Sequence, residues 1–238
     1  SCWHAVEPTR SFTTANGHQP RRREVMCRPG WVQIQMECRW VLLHEILLKA
    51  RRHSKDDGKT MQILIAHTSK TGNTAQVATY LAHALEARGS RVTSVNLQDA
   101  SATEGLDGAI ARADVVLAGF WTDKGDCTPE MTAFLERLAG KRVFLFGTAG
   151  FGGSQEYFGR ILANVRAHVP QDAEVMGEAM CSGKMEPQVR ERYVALLAND
   201  PEDARAQAMI ANFDAAAAHP NTDDLVAIAE AVFTALGI

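Results

Sequence analysis

The 238-residue chain has little of what would assign it to a stapled, fibrous or membrane-spanning class. Its five cysteines, Cys2, Cys27, Cys38, Cys127 and Cys181, are odd in number and widely spaced, which excludes a disulfide framework and reads as reduced thiols of a cytoplasmic protein. No metal-ligand spacing occurs among them, so no metal is expected. A phosphatase-type nucleophile would need an arginine six residues further on, where Cys127 has Ala133 and Cys181 has Pro187. Both read as small apolar residues. Apolar runs stay far below the roughly 20 residues of a membrane-spanning helix, so no membrane contact is expected. Repeats and low-complexity linkers are absent from the region after Met61.

A dominant charge sign is also missing, since the formal net charge is only -3. That figure hides two unlike parts. Residues 1–60 carry 11 basic and 6 acidic side chains, or +5, whereas residues 61–238 carry 14 and 22, or -8. Three of the four tryptophans, Trp3, Trp31 and Trp40, fall in the basic part. Composition therefore marks a domain boundary near Lys59 and Thr60. The basic run Arg21-Arg22-Arg23 and the glycines and prolines around it read as a poorly ordered extension, with one short apolar-faced helix expected over 36–52. His44 and Glu45 split the apolar run there and no cleavage site follows, which argues against a secretory signal. The expectation is an upstream or non-native extension with Met61 as the natural start, and no nucleic-acid partner.

After Met61 short β-branched runs alternate with segments of helical period, the pattern of a parallel sheet covered on both faces. Strands are expected over 62–67, 91–97, 114–120, 142–148 and 173–181. Val77, Tyr80, Leu81, Ala84 and Leu85 form one apolar stripe on a helix that stops at Gly89. Thr128-Pro129 and Ser154 read as helix starts, and Asp200-Pro201 repeats the first signal. Helical segments over 189–198, 201–217 and 222–236 exceed what five strands need and are expected to pack on the same core.

In an open α/β sheet the ligand crevice lies beyond the carboxyl ends of the strands. The first strand runs into Ser69-Lys70-Thr71-Gly72-Asn73-Thr74, with a helix beginning inside this hexapeptide. Hydroxyls, an amide and the free N–H groups of a helix start make a neutral anion cradle suited to phosphate, with Gly72 allowing close approach. Lys70 adds a charge that faces either the phosphate or solvent. The plainer alternative is a hydroxyl-rich helix cap. A Walker loop is excluded because no Gly-Lys pair stands in register, and a dinucleotide fingerprint because position 155 is Gln. A receiver domain would need an acidic pair where His67 stands.

The hexapeptide resembles the S/T-x-T-G-x-T phosphate loop of flavodoxins, which bind flavin mononucleotide (FMN), and the order of elements over residues 61–238 is similar too. The resemblance implies a three-layer α/β/α, doubly wound five-stranded parallel sheet of order 2-1-3-4-5, with extra C-terminal helices. It implies Ser69, Lys70, Thr71, Gly72, Asn73 and Thr74 as phosphate contacts. Two further loops would hold the isoalloxazine: Phe120, Trp121, Thr122, Lys124 and Gly125 after the third strand, and Thr148, Ala149, Gly150, Phe151 and Gly152 after the fourth. Trp121 either stacks on the flavin or closes the edge of the core. The glycine-rich third loop either approaches the ring or merely turns the chain. Gly119-Phe120-Trp121-x-Asp123-Lys124-Gly125, Phe146-Gly147-Thr148, Cys181-x-Gly183-Lys184 and His219-Pro220 are similar to a flavodoxin subgroup that includes the accessory protein of bacterial bilirubin reductases. This implies a bilirubin reductase-like flavoenzyme among the redox partners of a monomer or weak dimer. Three functions stay open at this point: an electron shuttle between a reductase and a partner oxidoreductase, an FMN-dependent NAD(P)H reductase of quinone-like acceptors, and a flavin-free binding module. No catalytic side chain is assigned.

Overall fold

The computed structural model describes residues 60–99, 101 and 104–238; the expected helix over 36–52 and the basic run lie outside these. Five strands, β1 (Gln62–His67), β2 (Arg91–Asn96), β3 (Val115–Trp121), β4 (Arg142–Ala149) and β5 (Glu174–Ser182), pair in parallel in the order β2-β1-β3-β4-β5. Seven helices lie among the described residues: α1 (Asn73–Glu86), α2 (Leu106–Arg112), α3 (Pro129–Leu135), α4 (Gln155–Arg166), α5 (Pro187–Asn199), α6 (Ala204–Ala216) and α7 (Thr222–Leu236). The expected fold class is the observed one. Strand order reverses between β1 and β3, so the crevice opens where β1, β3 and β4 end.

The two cores follow from strand alternation. Ile63, Ile65, Val115, Leu117, Phe144 and Phe146 pack under α1 and α7, on Val77, Leu81, Leu85, Ile228 and Val232. Leu64, Ala66, Val116, Ala118, Phe120, Val143 and Leu145 face the other way, onto Ile110, Met131, Phe134, Ile161 and Leu162 of α2, α3 and α4. Central strands covered on both faces read as continuous apolar runs, which is why they were visible as short blocks rather than as alternation.

Strand ends differ from expectation by a single residue at most, as at β2, which closes at Asn96, and β5, which runs to Ser182. The Thr128 and Ser154 caps form as expected, accepting from the N–H groups of Met131 and Tyr157. Asp200-Pro201 does not start a helix. Asp200 instead closes α5, its N–H donating to the Leu196 carbonyl, and its carboxylate accepts from the Glu202 N–H in a local turn. Asp203 caps α6 in its place, accepting from Arg205 and Ala206. The three last helices also part company. Only α7, begun by an Asn221–Asp224 capping box, fully joins the core, whereas α5 buries no residue and α6 only Ala206 and Ala216. Arg190 of α5 donates to both carboxylate oxygens of Asp214 on α6, at 2.8 and 3.2 Å.

Where the crevice begins, β3 and β4 interlock through two glycines. Gly119 is paired with Phe146, and Phe120 with Gly147. A Cβ on Gly119 would lie 2.2 Å from the Phe146 ring, and one on Gly147 2.6 Å from the Phe120 ring. Each ring thus fills the space its neighbour's missing side chain leaves, fixing the point from which the two loops depart. Gly119→Ala should destabilise the fold by about 1–3 kcal/mol through overpacking, with part of the loss recovered by adding Phe146→Leu. Urea midpoints measure both; an unshifted midpoint in the single variant would contradict the interlock.

Candidate functional site

The loop between β1 and α1 turns at Gly72, whose φ of 85° is left-handed and places it as an N-cap without any side-chain cap of its own. The first amides of α1 therefore need acceptors from elsewhere. Ser69 Oγ accepts from the Ala75 N–H at 3.2 Å. Among the described residues no protein group accepts from the N–H groups of Thr71, Gly72, Asn73 or Thr74. Thr71 Oγ1 accepts from Asn73 Nδ2 at 2.8 Å. Since Ser69 and Thr71 each already accept a protein hydrogen, their hydroxyl protons remain free to donate outward.

The loop is tied down from several directions. The Thr68 N–H donates to the Gly119 carbonyl at 2.9 Å, and the Ser69 N–H to Gln98 Oε1 at 2.9 Å. Thr74 Oγ1 meets Thr148 Oγ1 at 2.9 Å, both hydroxyls buried, which links the first loop to the end of β4. Asn73 Nδ2 also donates to the Lys184 carbonyl at 2.8 Å, and a Cβ on Gly183 would lie 2.6 Å from that nitrogen. Lys184 in turn donates its N–H to the His219 carbonyl at 2.8 Å.

Among the described residues, four buried polar atoms at this end of the sheet lack a protein partner: His67 Nδ1, Thr68 Oγ1, Asn73 Oδ1 and Trp121 Nε1. Burial lowers the His67 pKa, which keeps its imidazole neutral. Unpaired buried polar groups are costly, so a concentration of them beside unpaired amides marks a surface built for a polar ligand. Lys70 does not supply the positive charge to the amides. Its Nζ lies 3.6 Å from Glu186 Oε2 and 5.7 Å from the centroid of the Trp121 ring.

After β3 the chain makes a tight turn. Asp123 and Asp126 exchange backbone hydrogen bonds at 2.8 and 3.0 Å, with Lys124 (φ 50°) and Gly125 (φ 87°) between them, the positive-φ pair of a type I′ turn. Thr122 donates both its N–H and its hydroxyl to the Thr148 carbonyl, at 2.9 and 3.1 Å. Trp121 is half-buried at the strand end, whereas the Phe120 ring lies wholly in the core.

After β4, Gly150 and Gly152 are held by a side chain that sequence reasoning missed. Asn212 of α6 donates Nδ2 to the Gly150 carbonyl at 2.9 Å and accepts from the Gly152 N–H at 3.0 Å. Phe151 packs edge-on against Tyr193 of α5, ring centroids 6.4 Å apart. Met185 and Tyr157 fill the space a Cβ on Gly150 or Gly152 would need. The α5–α6 pair thus braces the third loop rather than the core. An asparagine some sixty residues away carries no sequence signal for this contact, as the spacing matches no motif. Ala149 is buried, with its carbonyl accepting from the Gly183 N–H. The structure brings the three expected loops together at one end of the sheet, linked by Thr74, Thr122 and Thr148. Cys127 and Cys181 are buried free thiols, and burial pushes them up to about 11 and about 12, so neither is poised as a nucleophile.

A family model described as a flavodoxin domain matches residues 64–233. A flavodoxin-like domain-containing protein BilS from Clostridium symbiosum (strain WAL-14163) is 36% identical over 178 residues, covering 70% of this chain and 92% of that protein. A protein of the same description from Clostridioides difficile (strain CD3) is 27% identical over 166 residues, covering 69% and 90%. Among solved structures, a two-electron reduced flavodoxin from Megasphaera elsdenii is 26% identical, with a TM-score of 0.38 and coverage of 54% of this chain and 91% of that one. A flavoprotein in complex with FMN from Lactobacillus acidophilus NCFM is 16% identical, with a TM-score of 0.38 and coverage of 51% and 94%.

Asn212→Leu removes both bonds to the third loop while keeping a side chain of similar size. It should cost about 1–3 kcal/mol of stability, two hydrogen bonds' worth, and raise amide exchange at Gly152 well above exchange in the core strands. Unchanged exchange there would show that the loop holds its shape without α6.

Proposed function

Because the chain belongs to the flavodoxin family, we propose that it is an FMN-binding electron carrier that takes electrons from a reductase and passes them to a partner oxidoreductase. The observation that supports this most is the cradle at the start of α1: four backbone amides with no acceptor among the described residues and two hydroxyls with protons to give. Such a set fits a phosphate monoester, which has only acceptors to offer. It sits where the strand order reverses, the place at which two-faced parallel sheets bind ligands.

In this reading Ser69, Thr71, Gly72, Asn73 and Thr74 hold the phosphate, chiefly through N–H groups, while the Thr74 hydroxyl is spent on Thr148. Lys70 serves at the rim, against Trp121 and Glu186. Trp121, Thr122, Lys124 and Gly125 form one wall for the flat ring, and Thr148, Ala149, Gly150, Phe151 and Gly152 the other. Phe120 acts from within the core, by setting where Gly147 and the loop beyond it begin. FMN, when bound, supplies the redox chemistry. The chain's own contribution is orientation, exclusion of water and electrostatics. With -8 on residues 61–238, the domain disfavours added negative charge on a bound group and attracts basic partners.

The BilS-type relatives, matched over about nine-tenths of their length, together with the subgroup motifs support a bilirubin reductase-like flavoenzyme as the partner. The alternative is an NAD(P)H-dependent reductase of quinone-like acceptors. Purified protein should carry the visible spectrum of bound flavin and stay coloured for many minutes with NADH or NADPH alone. It should bleach within seconds once a catalytic amount of a reductase is added, at a rate that falls as salt rises. Rapid bleaching by the nicotinamide alone would replace the carrier by the reductase; failure to take up added FMN would remove both.

A further inference from the structure

Next to the residues assigned to the cofactor, one cluster among the described residues combines three different metal-ligating side chains. Asp126 and Cys127 close the turn after β3, and His168 follows α4. One donor atom from each, a carboxylate oxygen, Sγ and a ring nitrogen, all lie within 4.8 Å of one another. His168 Nε2 is 3.0 Å from Asp126 Oδ2 and 3.2 Å from Oδ1.

We propose that Asp126, Cys127 and His168 form a binding site for a divalent transition metal of the zinc type. A mixed S, N and O donor set suits zinc, which accepts all three at about 2.0–2.3 Å, and three protein ligands leave a fourth position for water. The ligands are held in advance. The Cys127 N–H donates to Asp126 Oδ1 at 2.7 Å, and the Asp123–Asp126 backbone pair fixes the turn. Asn164 Nδ2 donates to the Gly125 carbonyl at 3.0 Å, tying that turn to α4, and Thr128 caps α3 at once after Cys127. Sγ is buried, with the Thr132 hydroxyl at 3.4 Å, whereas Asp126 and His168 are partly exposed and leave an entry path. On binding, the S–metal bond replaces S–H and the proton passes to solvent. Thiolate, carboxylate and neutral imidazole then sum to -2 and balance the ion.

The consequence is mechanical. A bound ion would fasten the turn after β3, one of the two walls assigned to the ring, to the end of α4. The site does not depend on the flavin reading, and its test needs no flavin.

Full-length protein, reduced and stripped with a chelator, is titrated anaerobically with cobalt(II) and then back-titrated with zinc. The expected result is a near-ultraviolet sulfur-to-cobalt charge-transfer band with four-coordinate visible bands. The part owed to this site should vanish in Cys127→Ser, and His168→Gln should weaken binding at least tenfold. Because Cys2, Cys27 and Cys38 are also present, the difference between wild type and Cys127→Ser is the signal read. Superimposable wild-type and Cys127→Ser spectra would overturn the proposal. If Cys127→Ser does not fold, wild-type affinity in His168→Gln, at a partly exposed position, would overturn it equally.

Discussion

A helix that starts at a left-handed glycine with no side-chain cap leaves its first amides in need of acceptors, and the far end of this sheet is organised around that need. At the start of α1 one amide is served by Ser69, and those of Thr71 to Thr74 have no acceptor among the described residues. Asn73 and Thr74 are buried, so leaving their amides unpaired is costly unless a ligand or water satisfies them, whereas Gly72 is exposed. Nearby acceptors do not serve them: the Thr74 hydroxyl is paired with Thr148, and Asn73 Oδ1 accepts from no described group. Lys70 lies over Trp121 rather than over the amides. A site this rich in donors and poor in cations would select an anion by hydrogen bonding rather than by net charge, as the proposed function requires.

The other two loops are placed by packing. The paired exchange of Phe146 over Gly119 and Phe120 over Gly147 fixes β3 against β4, so both loops leave from a rigid edge. Beyond that edge the loops rely on polar ties: Thr122 to Thr148, the Asp123–Asp126 turn, and the Asn212 clamp. The extra helices α5 and α6 belong to this outer shell. They bury almost nothing themselves, and α6 supplies the one side chain that holds both Gly150 and Gly152.

How much of this was legible follows from the physics of each feature. The five strands, the Thr128 and Ser154 caps and the helix stripe of α1 rest on local pattern and emerged nearly intact. The hexapeptide at residues 69–74 stood out because its hydroxyls, amide and helix start are contiguous in sequence. The helix over 106–112 was missed because seven residues give too few turns for a period to show. Asp200-Pro201 misled because Asp before Pro serves a turn as readily as a cap, and the choice was made by Asp203 next to it. Asn212, Gln98 and the Asp126–Cys127–His168 cluster are products of tertiary folding. Their partners stand tens of residues away at spacings that carry no motif.

In the proposed function the amides at the start of α1 hold the phosphate of the cofactor. The most direct measurement compares the affinity of flavin-stripped protein for FMN and for riboflavin, which differ only in that group, by fluorescence quenching. FMN should bind at least about a hundredfold tighter, the roughly two to three kcal/mol expected of several charge-assisted hydrogen bonds. Equal affinity for the two flavins would contradict it.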